Sequence, residues 1–158
     1  MPKLHFDDFA VGSDLPETSS AVTAEDAGFF ADAFAPGVAD DGDGAAGGIP
    51  LPGWHVAALG MRLLFDAVLS RTASLGAPGI DEVTWPYPVR PGDILRFTGR
   101  VAAARLSASR PEMGLVTVTI SLFNQHGACV MTQSNAVMVA RRCAGRSGPE
   151  RRSTEARG

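Results

Sequence analysis

Apolar side chains fall at Val56, Ala57, Leu59, Met61, Leu63, Leu64, Phe65, Val68 and Leu69, so residues 54–71 are apolar around most of a helical circumference. Only Arg62, Asp66 and Ser70 interrupt the pattern, four apart, on one narrow stripe. A helix with so little polar face is a buried one. At roughly 1.5 Å per residue it would be about 27 Å long, but it carries charge and reads as a core helix, not a membrane span. Pro50, Pro52 and Gly53 precede it, so the chain arrives extended and turns sharply into the first turn. The backbone N–H groups of that turn have no partner within the helix and face whatever lies ahead of Gly53 and Trp54.

The remaining patterns are weaker. Residues 14–23 suit a strand, weakened by Pro16. Thr23 then caps a helix that carries Glu25 and Asp26 in its first turn and runs to Phe34. Phe29, Phe30, Ala33 and Phe34 are its expected buried side. Residues 35–53 are rich in glycine and proline, and a loop of that length inside a compact domain is functional or mobile. It holds Asp40, Asp41 and Asp43, the densest acidic cluster in the chain. After the apolar helix, residues 76–79 read as a turn. Residues 80–89 read as a strand interrupted at Pro86 and Pro88, which places it at a sheet edge. Residues 90–93 are a tight turn. In residues 94–104, Leu95, Phe97 and Val101 alternate with Arg96, Thr98 and Arg100. Val116, Val118, Ile120 and Leu122 do the same in residues 115–123. Asn124 to Gly127 signals a hairpin turn, and residues 129–139 form the returning strand.

A helix apolar on nearly every side needs cover, and one strongly curved antiparallel sheet wrapped around it supplies that cover. The expected class is α+β, a single domain over residues 1–142, with residues 143–158 a disordered arginine-rich tail. Such a sheet has open edges, which favours a dimer. The length of 158 residues fits one domain with a real core. A net charge of −3 argues against a nucleic-acid surface. No apolar run follows a basic start, so no leader and no membrane partner are expected. Cys129 and Cys143 make neither a disulfide framework nor a metal motif, and a reduced cytoplasmic setting follows. Cys129 is expected as a buried thiol.

Five stretches then carry a resemblance. They are GWHVAALGMRLL from Gly53, SLGAPGIDEVTW from Ser74, VRPGD from Val89, SRPEMG from Ser109 and FNQHG from Phe123. Together they resemble the MaoC-like dehydratases, the hot-dog-fold group that contains the (R)-specific enoyl-CoA hydratases, over about residues 4 to 142. The resemblance implies a curved sheet around a central helix and a homodimer, or a pairing with another hot-dog subunit. It also implies a substrate acylated on coenzyme A or an acyl carrier protein, and neither metal nor cofactor. The implied reaction adds or removes water across the 2,3 bond of the acyl chain. Backbone N–H groups at the start of the central helix polarise the thioester carbonyl, while an Asp and a His handle the water and the proton.

The chain departs from the family at that Asp and His. Aligning Phe34-Ala35-Pro36 with the family's aromatic-Asp-Pro puts Ala35 at the aspartate and Asp40 at the histidine. The remaining candidates are few. Asp40 and Asp41 can share a proton, one as acid and one as base, or be a solvated acidic loop. His55 can move a proton or be a structural histidine. Gly53 and Trp54 offer backbone N–H groups to a carbonyl. Tyr87 and Trp85 read as strand packing, Arg62 with Asp66 as a structural pair, and His5 and His126 as terminus and turn. Three functions stay open. One is a dehydratase or cyclase with a refitted pocket in a specialised pathway such as polyketide biosynthesis. The others are a non-catalytic subunit that scaffolds an active hot-dog partner, and a binder of acyl chains.

Overall fold

The structure, a computed structural model, describes residues 1–36 and 49–142. Asp40, Asp41, Cys143 and the arginine-rich segment 143–158 lie outside the described residues. The elements are β1 (Asp14–Ala21), α1 (Ala24–Phe34), α2 (Gly53–Ala67), β2 (Ser74–Gly76), β3 (Glu82–Thr84), β4 (Ile94–Leu106), β5 (Met113–Phe123) and β6 (Cys129–Ala140). The strands form one antiparallel sheet in the order β1-β4-β5-β6-β2, and β3 also pairs with β6. Long strands fill the middle of the sheet, and the two three-residue strands share its far edge. This is the expected α+β hot-dog architecture.

Alternation makes the inner wall. Leu95, Phe97 and Val101 of β4, Val116, Val118, Ile120 and Leu122 of β5, and Met131, Val137 and Val139 of β6 are all buried. Their registers place them opposite one another: Phe97 pairs with Leu122, and Leu122 with Met131. Cross-strand neighbours on one face pack directly. Against this wall lies one side of α2, through Val56, Ala57, Gly60, Leu63, Leu64 and Ala67. Burying each large aliphatic side chain stabilises the fold by about 1.5–3 kcal/mol, so this contact dominates.

Local chemistry fixes the ends. The Thr23 side chain accepts from the Asp26 N–H at 3.1 Å, the cap expected for α1. The Val22 N–H donates to the Asp93 carbonyl and the Gly92 N–H to the Val22 carbonyl, both at 2.8 Å, which ties the base of α1 to the turn at 90–93. Gly92 sits there at φ 96°, a conformation that favours glycine. At the other end, Arg142 pairs with Asp8 and Arg141 with Asp7, holding the N-terminal residues beside the end of β6. The Arg62–Asp66 pair forms as expected, at 2.8 Å on the surface. No helix among the described residues is long and apolar enough to cross a membrane.

Several local expectations are corrected. Among the described residues the face of α2 away from the sheet is left open: Trp54, Met61 and Phe65 are 64%, 53% and 46% exposed. One sheet covers one side of a helix, and α1 does not reach round to the other. Phe29 and Phe34 of α1 are also open to solvent, and no residue of α1 is fully buried. Its inward side is Ala27, Phe30 and Ala31, each half-buried. The turn expected at 76–79 begins one residue after a short strand that ends at Gly76, where φ is 107°. Within 80–89 only Glu82–Thr84 pairs, because Pro86 and Pro88 lack the N–H a ladder needs. Cys129 is half-buried, its Sγ 3.6 Å from the Met131 carbonyl.

If the wall packs as described, Leu122→Ala should cost about 2–5 kcal/mol, the range for truncating a buried leucine. Urea denaturation measures this, and a loss below about 1 kcal/mol would mean that the inner face is loosely filled.

Candidate functional site

The site begins where the chain enters α2. The Leu51 N–H donates to the Val89 carbonyl at 2.7 Å, which pins the extended Pro50-Leu51-Pro52 stretch to the sheet side. Pro52 is the N-cap, at φ −55° and ψ 144°, and offers no side chain to the turn that follows. Its carbonyl accepts from His55 N–H at 2.9 Å and Val56 N–H at 3.2 Å. The N–H groups of Gly53 and Trp54 come before these, in the part of a helix that has no internal acceptor. The helix dipole adds partial positive charge at the same place.

Packing explains the residue types. A β-carbon on Gly53 would stand 2.7 Å from Cδ2 of Trp85 and 2.9 Å from two further atoms of that indole. Only a bare α-carbon lets the indole lie so close. The Trp54 and Trp85 rings meet edge to face, 5.4 Å apart at 74°. Trp85 is therefore not strand packing: it lies beyond β3 and shields the start of α2. Tyr87, at 51% exposed, is not strand packing either.

His55 points the other way, into the protein. It is 5% exposed and stacks on Phe30 of α1, with ring centroids 4.5 Å apart and planes within 4°. Its Nδ1 is buried and has no hydrogen-bond partner among the described residues. Burial pushes the imidazole pKa below the ordinary histidine value, and the Asp26 carboxylate opposes this more weakly. The ring is thus neutral at neutral pH, with an unsatisfied nitrogen in the first turn of α2. An unpaired buried nitrogen is costly unless something else uses it.

Beside this turn lies a cavity of about 350 Å³, lined by Ala27, Gly28, Ala31 and Ala35 on one side, and by Ile49, Pro50, Leu51, Pro52 and Pro91 on the other. Pro52 joins the cavity to the start of α2. Ala35, at the place expected of the family's aspartate, is one wall.

Of the residues singled out from the sequence, Gly53, Trp54 and His55 are brought together at one end of α2. Asp40 and Asp41 lie outside the described residues. Sequence reasoning missed Phe30 as the ring beneath His55 and Trp85 as the cover over Gly53. A glycine at the first position of an otherwise bulky helix was the available signal, since it marks a close approach.

The sequence matches no family model and no curated protein. Solved structures do match. The (R)-hydratase from A. caviae involved in PHA biosynthesis is 25% identical, with a TM-score of 0.62, over 82% of this chain and 96% of that one. A Mycobacterium tuberculosis protein with a double hot-dog fold is 18% identical, with a TM-score of 0.72, over 92% of this chain and 47% of that one. Fold and likeness together define a hot-dog protein related to the hydratases. The MaoC-like dehydratase from Rhodospirillum rubrum is 35% identical, with a TM-score of 0.76, over 88% of this chain and 98% of that one. The chain belongs to the MaoC-like dehydratases.

The depressed pKa of His55 has a signed consequence. Below about pH 6.5 an unfolded chain takes up a proton that the buried ring refuses. The stability contributed by the neutral ring is full above that pH and is lost as pH falls through the folded pKa. His55→Phe keeps a stacked ring that does not titrate. Urea midpoints from pH 7 to 5 should therefore fall more for the wild type than for this variant, and parallel slopes would show that His55 is not held neutral by burial.

Proposed function

We propose that the protein is a hydro-lyase acting on an acyl thioester, with the thioester carbonyl held at the amino end of α2. The N–H groups of Gly53 and Trp54 receive the carbonyl oxygen, and their hydrogen bonds strengthen as negative charge gathers on it. In the hydration direction His55 takes a proton from water. The water oxygen bonds to the β-carbon, and the electron pair of the 2,3 bond moves onto the thioester oxygen. The enolate so formed then takes a proton at the α-carbon from the carboxyl of Asp40 or Asp41, and the proton held on His55 passes to that carboxylate through solvent, restoring both groups. Dehydration is the reverse sequence. The substrate is a specialised, polyketide-like acyl chain on coenzyme A or an acyl carrier protein. The observation that carries this reading is the buried Nδ1 of His55, without a hydrogen-bond partner among the described residues, in the same helical turn as the N–H groups of Gly53 and Trp54.

A second reading is favoured by a different observation. Among the described residues no carboxylate lines the cavity, and Ala35 forms part of its wall. Trp54, Ala58, Met61 and Phe65 also form an exposed stripe along α2. Exposed apolar surface of this kind marks a contact with another protein. The double hot-dog relative carries two such units in one chain. On this reading the protein is the non-catalytic half of a hot-dog heterodimer, in which a different, active hot-dog partner supplies the acid and base.

The assay uses purified protein with 2-enoyl and (R)-3-hydroxyacyl thioesters. Turnover should appear, and His55→Asn should lower kcat by about 10²–10⁴-fold with little change in KM, the usual contribution of a general base. An unchanged kcat in His55→Asn removes the histidine from the chemistry. Inactivity that is relieved only by an active hot-dog partner establishes the second reading. On either reading Phe65→Glu should turn the dimer into a monomer by sedimentation, and a wild type that is already monomeric ends the pairing argument.

A further inference from the structure

Resting on the reading above in which His55 is the base, we propose that α1 positions this histidine: Phe30 fixes the plane of its ring, and Asp26, on the same side of the helix, steadies the proton it takes up. Neither side chain is assigned a contact with substrate. Asp26, Phe30 and Phe34 follow one another at intervals of four, so they form one stripe along α1. Two ring contacts show where that stripe leads. Phe34 meets Phe30 with centroids 4.9 Å apart at 46°, and Phe30 stacks on His55 at 4.5 Å with planes within 4°. Three rings in succession thus join α1 to the first turn of α2.

An imidazole turns about its outer side-chain torsion with little preference of its own. Ordinarily a hydrogen bond at one ring nitrogen sets its orientation and tautomer. The buried Nδ1 of His55 has no such bond among the described residues. The stack on Phe30 is then the contact that selects the ring plane. Phe30 is itself presented from a fixed start. The Thr23 side chain caps the Asp26 N–H at 3.1 Å, and the Val22 N–H bonds to the Asp93 carbonyl just before the helix begins.

A base becomes a cation partway through its reaction. Burial disfavours the charged ring, and the Asp26 carboxylate opposes burial. Among the described residues no other charged group acts on the ring. Asp26 is exposed, so water weakens its pull and burial prevails at rest. The face of a phenyl ring is electron-rich and attracts a cation laid against it, so Phe30 acts in the same direction as Asp26. The stripe on α1 therefore leaves His55 neutral at rest and gives the imidazolium two attractions once it forms.

The test combines proton NMR of the His55 ring with kinetics on a 2-enoyl thioester. The chain has 3 histidines, and the His55→Asn spectrum identifies the His55 signals. Asp26→Asn keeps the backbone N–H that bonds to Thr23, so α1 stays capped. It should move the His55 titration, and the acid limb of kcat/KM, to lower pH. Asp32→Asn, on another side of α1, should move neither. Phe30→Leu should erase the ring-current shift of the His55 protons and lower kcat about tenfold or more with KM unchanged, as misplacing a reacting group does. Phe30→Tyr keeps a ring and should restore both. Circular dichroism checks folding, and Phe34→Ala, at an exposed position, is the milder variant that should shift the same protons in part. The role of the carboxylate is overturned if Asp26→Asn titrates like Asp32→Asn. The role of the phenyl is overturned if Phe30→Leu, or Phe34→Ala where Phe30→Leu does not fold, leaves the His55 protons as in the wild type. A kcat lost in His55→Asn but untouched by Phe30→Leu and Asp26→Asn removes the positioning and leaves the base. The expected NMR changes in a protein whose turnover does not depend on His55 do the reverse: they keep the hold of α1 on the ring and remove the base.

Discussion

Close approach of α2 to the curved sheet is the contact from which the other features of the molecule follow. A β-carbon on Gly60 would stand 2.6 Å from Met131 Cε and 3.5 Å from Leu122 Cδ1. The absence of that atom lets the helix sink until Leu63 and Leu64 are 2% exposed. Protein interiors are packed as densely as organic crystals, so a helix seated this deeply has a fixed axis and a fixed rotation. Rotation decides which residues of its first turn face inward. It turns His55 beneath Phe30 and leaves Trp54 outside against Trp85. The site geometry is thus a consequence of core packing several residues away.

The two ends of α2 are treated differently, and the difference matters for chemistry. At its C-terminal end the Val68 N–H donates to the Leu64 carbonyl, and the Thr72 hydroxyl closes onto the Val68 carbonyl at 2.8 Å. At its N-terminal end Pro52 has no side chain to give, and Gly53 has none at all. A helix start without a side-chain cap keeps its donors for something else, and a carbonyl oxygen is the natural acceptor. His55 adds a neutral nitrogen to the same turn. Burial holds it neutral, and Asp26 is too weak an influence to reverse that.

Much of the fold was legible because its signal is periodic. Alternation in residues 94–104 and 115–123 named the inner wall residue by residue, and Leu95, Phe97, Val101, Val116, Val118, Ile120 and Leu122 are all buried. The Thr23 cap and the turn at Asn124 to Gly127 were legible because each depends on a few adjacent residues. Phe29 and Phe34 were misassigned for the opposite reason. A short helix with phenylalanines on two sides has no single apolar stripe, and which side turns inward is decided by Phe30 stacking on a histidine more than twenty positions away. The start of α2 could be read as a site from Gly53 and its prolines. Its cover could not, because Trp85 reaches Gly53 only through the pairing of β3 with β6.

The apolar surface left open is not evenly spread, and its placement carries an argument of its own. Two groups of exposed apolar side chains flank the start of α2. One is the stripe through Trp54, Met61 and Phe65, and the other is Phe29 and Phe34 on α1. Single exposed apolar residues are ordinary, but clustered ones are costly to leave in water. The cavity beside Pro52 has only apolar residues in its described lining. A helix apolar nearly all round is therefore covered on one side by its own sheet, while its other side has apolar character and no cover among the described residues. The sequence pattern that marks a buried helix is met only when something further is added on that side. The short edge strand β3, with only Glu82–Thr84 paired to β6, lies close to Trp85 and the same uncovered face. An open strand edge next to an open apolar face is the arrangement in which backbone pairing and side-chain burial can be satisfied by one and the same neighbour.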